Sequence, residues 1–208
     1  MDISNELLRI LEKYAIRKDA TRQSSTEAHK LIDNDVIIIK GAPGSGKSET
    51  AKKLSFHFKK GVRIEVDTIR SMVISVNWID WQEHLNMLKI AANMTLDFLR
   101  YDFKPVIVTD TFFTNDKGKN YSEIKSFTDI LYQSKNDLSV KIFALYVQDN
   151  ELKKRLDLRP DYLLKDFPLS KIINDVILNI KQDNETIVDS TNLTVEETVN
   201  KILNNIGA

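Results

Sequence analysis

The 208-residue chain predicts an α/β fold in which helices cover both faces of a five-stranded parallel sheet, giving three layers. Short apolar runs alternate with helical stretches, which is the pattern of βαβ units. A glycine-rich turn joins one of those runs to the helix behind it. The length suits one domain with a buried core and room for a small inserted lid.

The expected strands are "DVIIIK" (35–40), "VRIEV" (62–66), "PVIVTD" (105–110), "VKIFALYV" (140–147) and "ETIVD" (185–189). Helices are expected from about Gly46 to Phe58, Trp81 to Tyr101, Tyr121 to Gln133, and in pieces after Asp149. In the second of these, Leu85, Leu88, Ala92, Leu96 and Leu99 recur at three- and four-residue steps, so one face is apolar. A last helix spans about Thr194 to Ile206, with Thr194 as N-cap and Glu197 completing a capping box. Residues 1–34 form an N-terminal extension with one amphipathic helix, Leu7, Leu8, Leu11, Tyr14 and Ala15 lying on one side. Such a helix packs on its own domain or docks a partner. The main domain runs from 35 to 208, with the lid around 150–170.

Thirty basic residues balance thirty acidic ones, so no global positive field favours long nucleic acids, although a nucleic-acid end remains compatible with a local site. The absence of cysteine excludes disulfides, thiolate metal sites and cysteine nucleophiles. The aliphatic run from Val36 to Ile39 is far too short to span a bilayer. These features lead us to expect a soluble cytoplasmic protein with no membrane partner.

Three of the six glycines fall within "GAPGSGKS", at Gly41, Gly44 and Gly46. With Ala42, Pro43, Ser45, Lys47 and Ser48 they satisfy G-x-x-x-x-G-K-[ST] between an expected strand and helix. Glycine lets the backbone turn several N–H groups toward a polyphosphate, and the following helix adds its N-terminal dipole. Gly41 through Glu49 therefore form the candidate nucleotide cradle. Lys47 supplies a charge for the β- and γ-phosphates, and the Ser48 hydroxyl a ligand for Mg²⁺.

Other motifs narrow the class. A guanine switch would need Asp-x-x-Gly after the third strand and an Asn-Lys-x-Asp reader, and neither is present. "DTIR" puts Asp67 at the carboxyl edge of the sheet, where open α/β sheets bind ligands, with Arg70 one helical turn on. Asp67 can orient an acceptor hydroxyl and take its proton, while Arg70 can hold a polar part of the acceptor. The alternative is an N-cap aspartate beside a surface arginine. Asp110, ending "VIVTD", faces the Mg²⁺ side of such a site or touches the acceptor; otherwise it caps a turn. Arg155 and Arg159, four apart after the fourth strand, read either as lid arginines that neutralise the transferred phosphoryl group or as a solvated face, with Arg155 the stronger candidate. Tryptophans are more often buried than used for stacking, so Trp78 and Trp81 are expected mainly in packing. His29, His57 and His84 show no metal-ligand spacing and are assigned no chemistry.

"GAPGSGKS", "VDTIR", "VIVTDTFF", the arginine-bearing stretch and "TIVDSTNLTVEETVNKIL" together resemble the P-loop kinases that include polynucleotide 5′-hydroxyl kinases, zeta-toxin-like kinases, adenylylsulfate kinases and gluconate or shikimate kinases. The resemblance spans about residues 35 to 206. It implies a P-loop NTPase sandwich with strand order 2-3-1-4-5. It also implies ATP and Mg²⁺ as cofactors, Asp67 as the acceptor-activating aspartate, Arg70 as the substrate arginine, and a terminal loop bordering the adenine. The activity expected is transfer of a γ-phosphate to a hydroxyl on a small metabolite or a polynucleotide 5′ end. The competing expectations are a nucleotide-dependent regulatory ATPase and a P-loop protein that binds nucleotide without chemistry.

Overall fold

The computed structural model describes residues 34–113, 122–179 and 184–207. The expected N-terminal helix lies outside these residues. Five strands, β1 (Val36–Gly41), β2 (Val62–Glu65), β3 (Val106–Asp110), β4 (Val140–Tyr146) and β5 (Glu185–Asp189), form one all-parallel sheet in the order β2-β3-β1-β4-β5. That is the expected strand order. The described helices are α1 (Lys47–Ser55), α2 (Val66–Arg70), α3 (Trp81–Arg100), α4 (Glu123–Ser134), α5 (Asp149–Asp157), α6 (Phe167–Asn179) and α7 (Val195–Asn205).

Strand alternation divides the core into two layers, because successive side chains leave opposite faces of the sheet. Val36, Ile38, Val106, Val108 and Ile142 face Met87, Leu88, Ala91 and Ala92 of α3 and Ile124, Phe127 and Leu131 of α4. Ile37, Ile39, Ile107, Phe143 and Leu145 face Ala51 and Leu54 of α1 and Val199, Ile202 and Leu203 of α7. With helices on both sides, the central strands have no solvent-facing side, which is why β1 reads as a continuous apolar run from Val36 to Ile39.

Three boundaries differ from the sequence reading. Strand β2 stops at Glu65 because its ladder with β3 ends at the Glu65–Thr109 register. Val66 then opens α2, and Val66 and Ile69 both insert into the core. On α3 the most buried positions are Met87, Leu88, Ala91, Ala92 and Thr95, so the apolar stripe is rotated from the one expected, and Leu85, Leu96 and Leu99 flank it. Helix α5 ends at Asp157, so Arg155 and Arg159 do not share a helical face. The expected capping box at α7 is present, Thr194 Oγ1 accepting from Glu197 N and Glu197 Oε2 from Thr194 N.

One polar pair interrupts the core. Lys40, next to last on β1, donates to Glu185 Oε2 at the start of β5 at 2.9 Å, with side-chain exposures of 2% and 0%. It couples the strand leading into the glycine-rich turn to the far side of the sheet.

Candidate active site

The turn between β1 and α1 has the geometry that its sequence demands. Gly46 takes φ 91° as the N-cap of α1, and open space surrounds the position where a Cβ would stand. Its glycine is required by backbone conformation alone. At Gly44, φ is 84° and a Cβ would lie 3.1 Å from Leu156 and 3.3 Å from Leu152, so α5 rests directly on the turn. Ser45 N donates to Ala42 O at 3.1 Å and closes the loop. The Ser45 hydroxyl is buried without a hydrogen-bond partner. An unpaired buried hydroxyl beside left-handed glycines fits a loop shaped to receive phosphate oxygens.

Lys47 and Ser48 open α1 half-buried. Burial pulls the Lys47 ammonium below its usual value; the charges of Asp67 and Asp110 oppose this, and Arg159 adds to it. These couplings gather Lys47, Asp67, Asp110 and Arg159 around one cleft at the carboxyl edge of the sheet. Asp67, the second residue of α2, is accessible to solvent. The cleft walls nevertheless strip part of its hydration, and this loss, followed by the charge of Asp110, raises its carboxyl above the ordinary range.

Two arginines depart from their expected places. Arg70 was expected to hold the acceptor, but it is buried, with Nη2 donating to Asn77 O at 2.7 Å and to Asp80 O at 3.3 Å. Its Nε lies 3.8 Å from Glu83 Oε1, and the guanidinium sits 4.9 Å from the Trp78 ring centroid. The side chain thus braces the turn leading into α3. Arg155 was expected over the transferred group. It instead bonds Glu151 Oε1 at 3.0 Å and reaches Ser190 O at 2.8 Å and Thr191 O at 3.2 Å, tying α5 to the loop after β5. Arg159, beyond the helix end, donates to Leu164 O at 2.6 Å, and its charge reaches Lys47 and Asp67, as that of Arg70 also reaches Asp67.

The tryptophans also differ from expectation. Trp78 and Trp81 are 52% and 44% exposed rather than packed inside. They stand on the turn that Arg70 braces, beside exposed Ile74 and Ile79.

His84 and Glu123 join the site unforeseen. Asp110 closes β3 with its carboxylate buried, and His84 Nε2 of α3 lies 3.3 Å from Asp110 Oδ2 and 3.4 Å from Glu123 Oε1 at the start of α4. Burial by itself would lower the imidazole's value, but hydrogen bonding to Asp110 and Glu123 and their charges push it up to about 10. Burial raises the Glu123 carboxyl against the contribution of His84. A signal for His84 was present, since it precedes Met87, Leu88, Ala91 and Ala92 by the three-, four-, seven- and eight-residue steps of the buried stripe. Glu123 had none, because an acid in the first turn of a helix is ordinary.

A separate concavity of about 490 Å³ opens at the amino ends of β4 and β5, lined by Tyr132, Leu138, Lys141 and Asn205 among others. It contains none of the cleft's phosphate-binding groups. Among the described residues no helix is long and apolar enough to cross a membrane.

No known protein-family profile matches the chain. It is 26% identical over 205 residues to the cytidylate kinase of Thermosipho africanus, the match covering 80% of this chain and 92% of that one. Its fold is similar to that of the tunicamycin resistance protein of Deinococcus radiodurans (TM-score 0.60, 17% identity, 84% and 96% coverage). It is likewise similar to a gluconokinase from Sinorhizobium meliloti (TM-score 0.56, 16% identity, 86% and 94% coverage).

Proposed function

We propose that this chain is a P-loop small kinase, like the proteins it resembles, and transfers the γ-phosphoryl group of ATP to a hydroxyl. Nucleotide-dependent phosphotransfer is the reading in which the glycine-rich loop, the cleft and the relatives agree. The hydroxyl acceptor is the finer step, and one observation carries it: the acceptor side of the cleft is acidic. Asp67, Asp110 and Glu123 converge there, while the nearby cation Arg70 is held by Asn77 O, Asp80 O and Glu83. With Arg70 so engaged, a dianionic phosphate acceptor would find only His84 and Arg159 to offset these carboxylates, whereas a neutral hydroxyl meets a carboxylate that can accept its proton.

In this reading the loop amides and Lys47 bind the β- and γ-phosphates, and Arg159 adds charge from the segment after α5. Asp67 orients the acceptor oxygen and takes its proton as the new O–P bond forms and the bond to the β-phosphate oxygen breaks. The Ser48 hydroxyl and Oδ1 of the Asp110 carboxylate are hard oxygen donors suited to Mg²⁺. Magnesium bound there would neutralise charge on the phosphates. The 158–166 segment between α5 and α6 carries Arg159 and is the part able to close over the cleft.

The likeness to a cytidylate kinase favours a second reading, a nucleoside monophosphate as acceptor. ADP release measured against hydroxyl acceptors (oligonucleotide 5′ ends, nucleosides, sugar acids, aminoglycoside- and phenicol-type antibiotics) and against nucleoside monophosphates separates the two. The expected result is turnover with a hydroxyl acceptor that falls about 10²- to 10⁴-fold in Asp67→Asn. Turnover confined to monophosphates and indifferent to Asp67→Asn would replace the first reading with the second.

A further inference from the structure

The cluster of His84, Asp110 and Glu123 has a geometry that neither phosphate binding nor acceptor activation requires. Its donor atoms come from three elements: Nε2 on α3, Oδ2 at the end of β3 and a carboxylate oxygen at the start of α4. All lie within 4.8 Å of one another. We propose that these three side chains form a binding site for a divalent transition-metal ion of the Zn²⁺ class, separate from the nucleotide's magnesium.

Distances separate this arrangement from a simple ion-pair network. Charge-assisted N–H···O bonds contract to about 2.7–2.9 Å. Ligands about 2.1 Å from one metal at tetrahedral to right angles are themselves about 3.0–3.4 Å apart. The separations of 3.3 and 3.4 Å from His84 to the two carboxylates fall in the second range, and the carboxylate oxygens lie within 4.8 Å of each other, close enough for one ion to draw them together. Asp110 is 3% exposed, and its Oδ2 faces His84 Nε2 at 3.3 Å without a well-aligned hydrogen bond from any donor. Glu123 is already oriented, because its Oε2 accepts from Phe113 N at 2.6 Å and leaves Oε1 turned toward His84. Such fixing of a ligand by an outer hydrogen bond is usual at metal centres.

Ligand chemistry decides the class of ion. Two carboxylates and one imidazole carry two negative charges once the entering ion has displaced the ring's Nε2 proton to solvent, and a divalent cation cancels them. The imidazole nitrogen selects against Mg²⁺ and Ca²⁺ and for the borderline transition metals. Three protein ligands leave a fourth position free. A site here would also cross-link the exposed turn before α3 to the strand that carries Asp110.

Isothermal titration of the nucleotide-free full chain with Zn²⁺, after chelator treatment, tests this. Wild type, Ser48→Ala and His57→Ala should each take up one equivalent with similar affinity. His84→Ala and Glu123→Gln should each weaken that uptake at least 10-fold, with ATP binding retained as the check on folding. Zinc-edge X-ray absorption on the loaded wild type should show one imidazole among oxygen ligands, independently of any variant. Absent stoichiometric uptake, uptake unchanged in His84→Ala and Glu123→Gln, or an absorption spectrum without imidazole would overturn the site. Uptake lost in Ser48→Ala would also overturn it, since the ion would then belong to the nucleotide cradle.

Discussion

Replacing Glu185 with glutamine tests the polar pair in the core. Lys40 and Glu185 are 2% and 0% exposed at 2.9 Å. At an effective dielectric near 20, unit charges at that distance attract by about 6 kcal/mol. Glutamine keeps an oxygen that can accept from the ammonium, a bond to a charged group that returns about 1.5–3 kcal/mol. The expected loss is therefore about 3–4 kcal/mol, within the range found when one partner of a buried pair is removed. For a chain of this size that corresponds to a fall in Tm of roughly 6–16 °C. Urea unfolding of wild type and Glu185→Gln should show a lower midpoint with an unchanged slope. The double variant Lys40→Met with Glu185→Leu removes both charges and should recover most of the loss. A deficit under about 1 kcal/mol in the single variant, or no recovery in the double one, would refute the view that an unpaired buried charge is the cause.

Four further outcomes are expected. Lys47→Ala should lower ATP turnover by orders of magnitude while leaving the unfolding midpoint nearly unchanged, since the proposed function gives the residue a phosphate to bind and it is not part of either core layer. Arg159→Ala should lower kcat about 10²-fold or more. Arg155→Ala should act mainly through the KM for ATP, because its guanidinium holds the 190–191 loop rather than facing the cleft; steady-state kinetics distinguish the two. Thr194→Ala should cost about 1 kcal/mol of stability by removing the N-cap of α7, without changing kinetics, as read by thermal unfolding and activity together.

The sequence by itself determined whatever depends on local pattern. Residues 35–40, an aliphatic run ahead of a glycine-rich turn, read as a buried strand. The glycines at 44 and 46 mark left-handed positions, and Thr194 with Glu197 announces a helix start. Each follows from side-chain alternation, φ preference or a hydrogen bond spanning a few residues. For the same reason the glycine-rich turn between β1 and α1 was legible in the sequence, since its parts are contiguous. Tertiary structure alone decided where long side chains point. Arg155 and Arg159 look equivalent in sequence, yet α5 ends between them and sends one to the loop after β5 and the other toward Lys47. Arg70 looks free until the turn before α3 folds back onto it. His84, Asp110 and Glu123 lie on two helices and a strand, so no local spacing could reveal that the packing of α3 and α4 against β3 brings them together. Contacts between residues distant in the chain are set by how elements pack, and a linear pattern records only which residues are available for them.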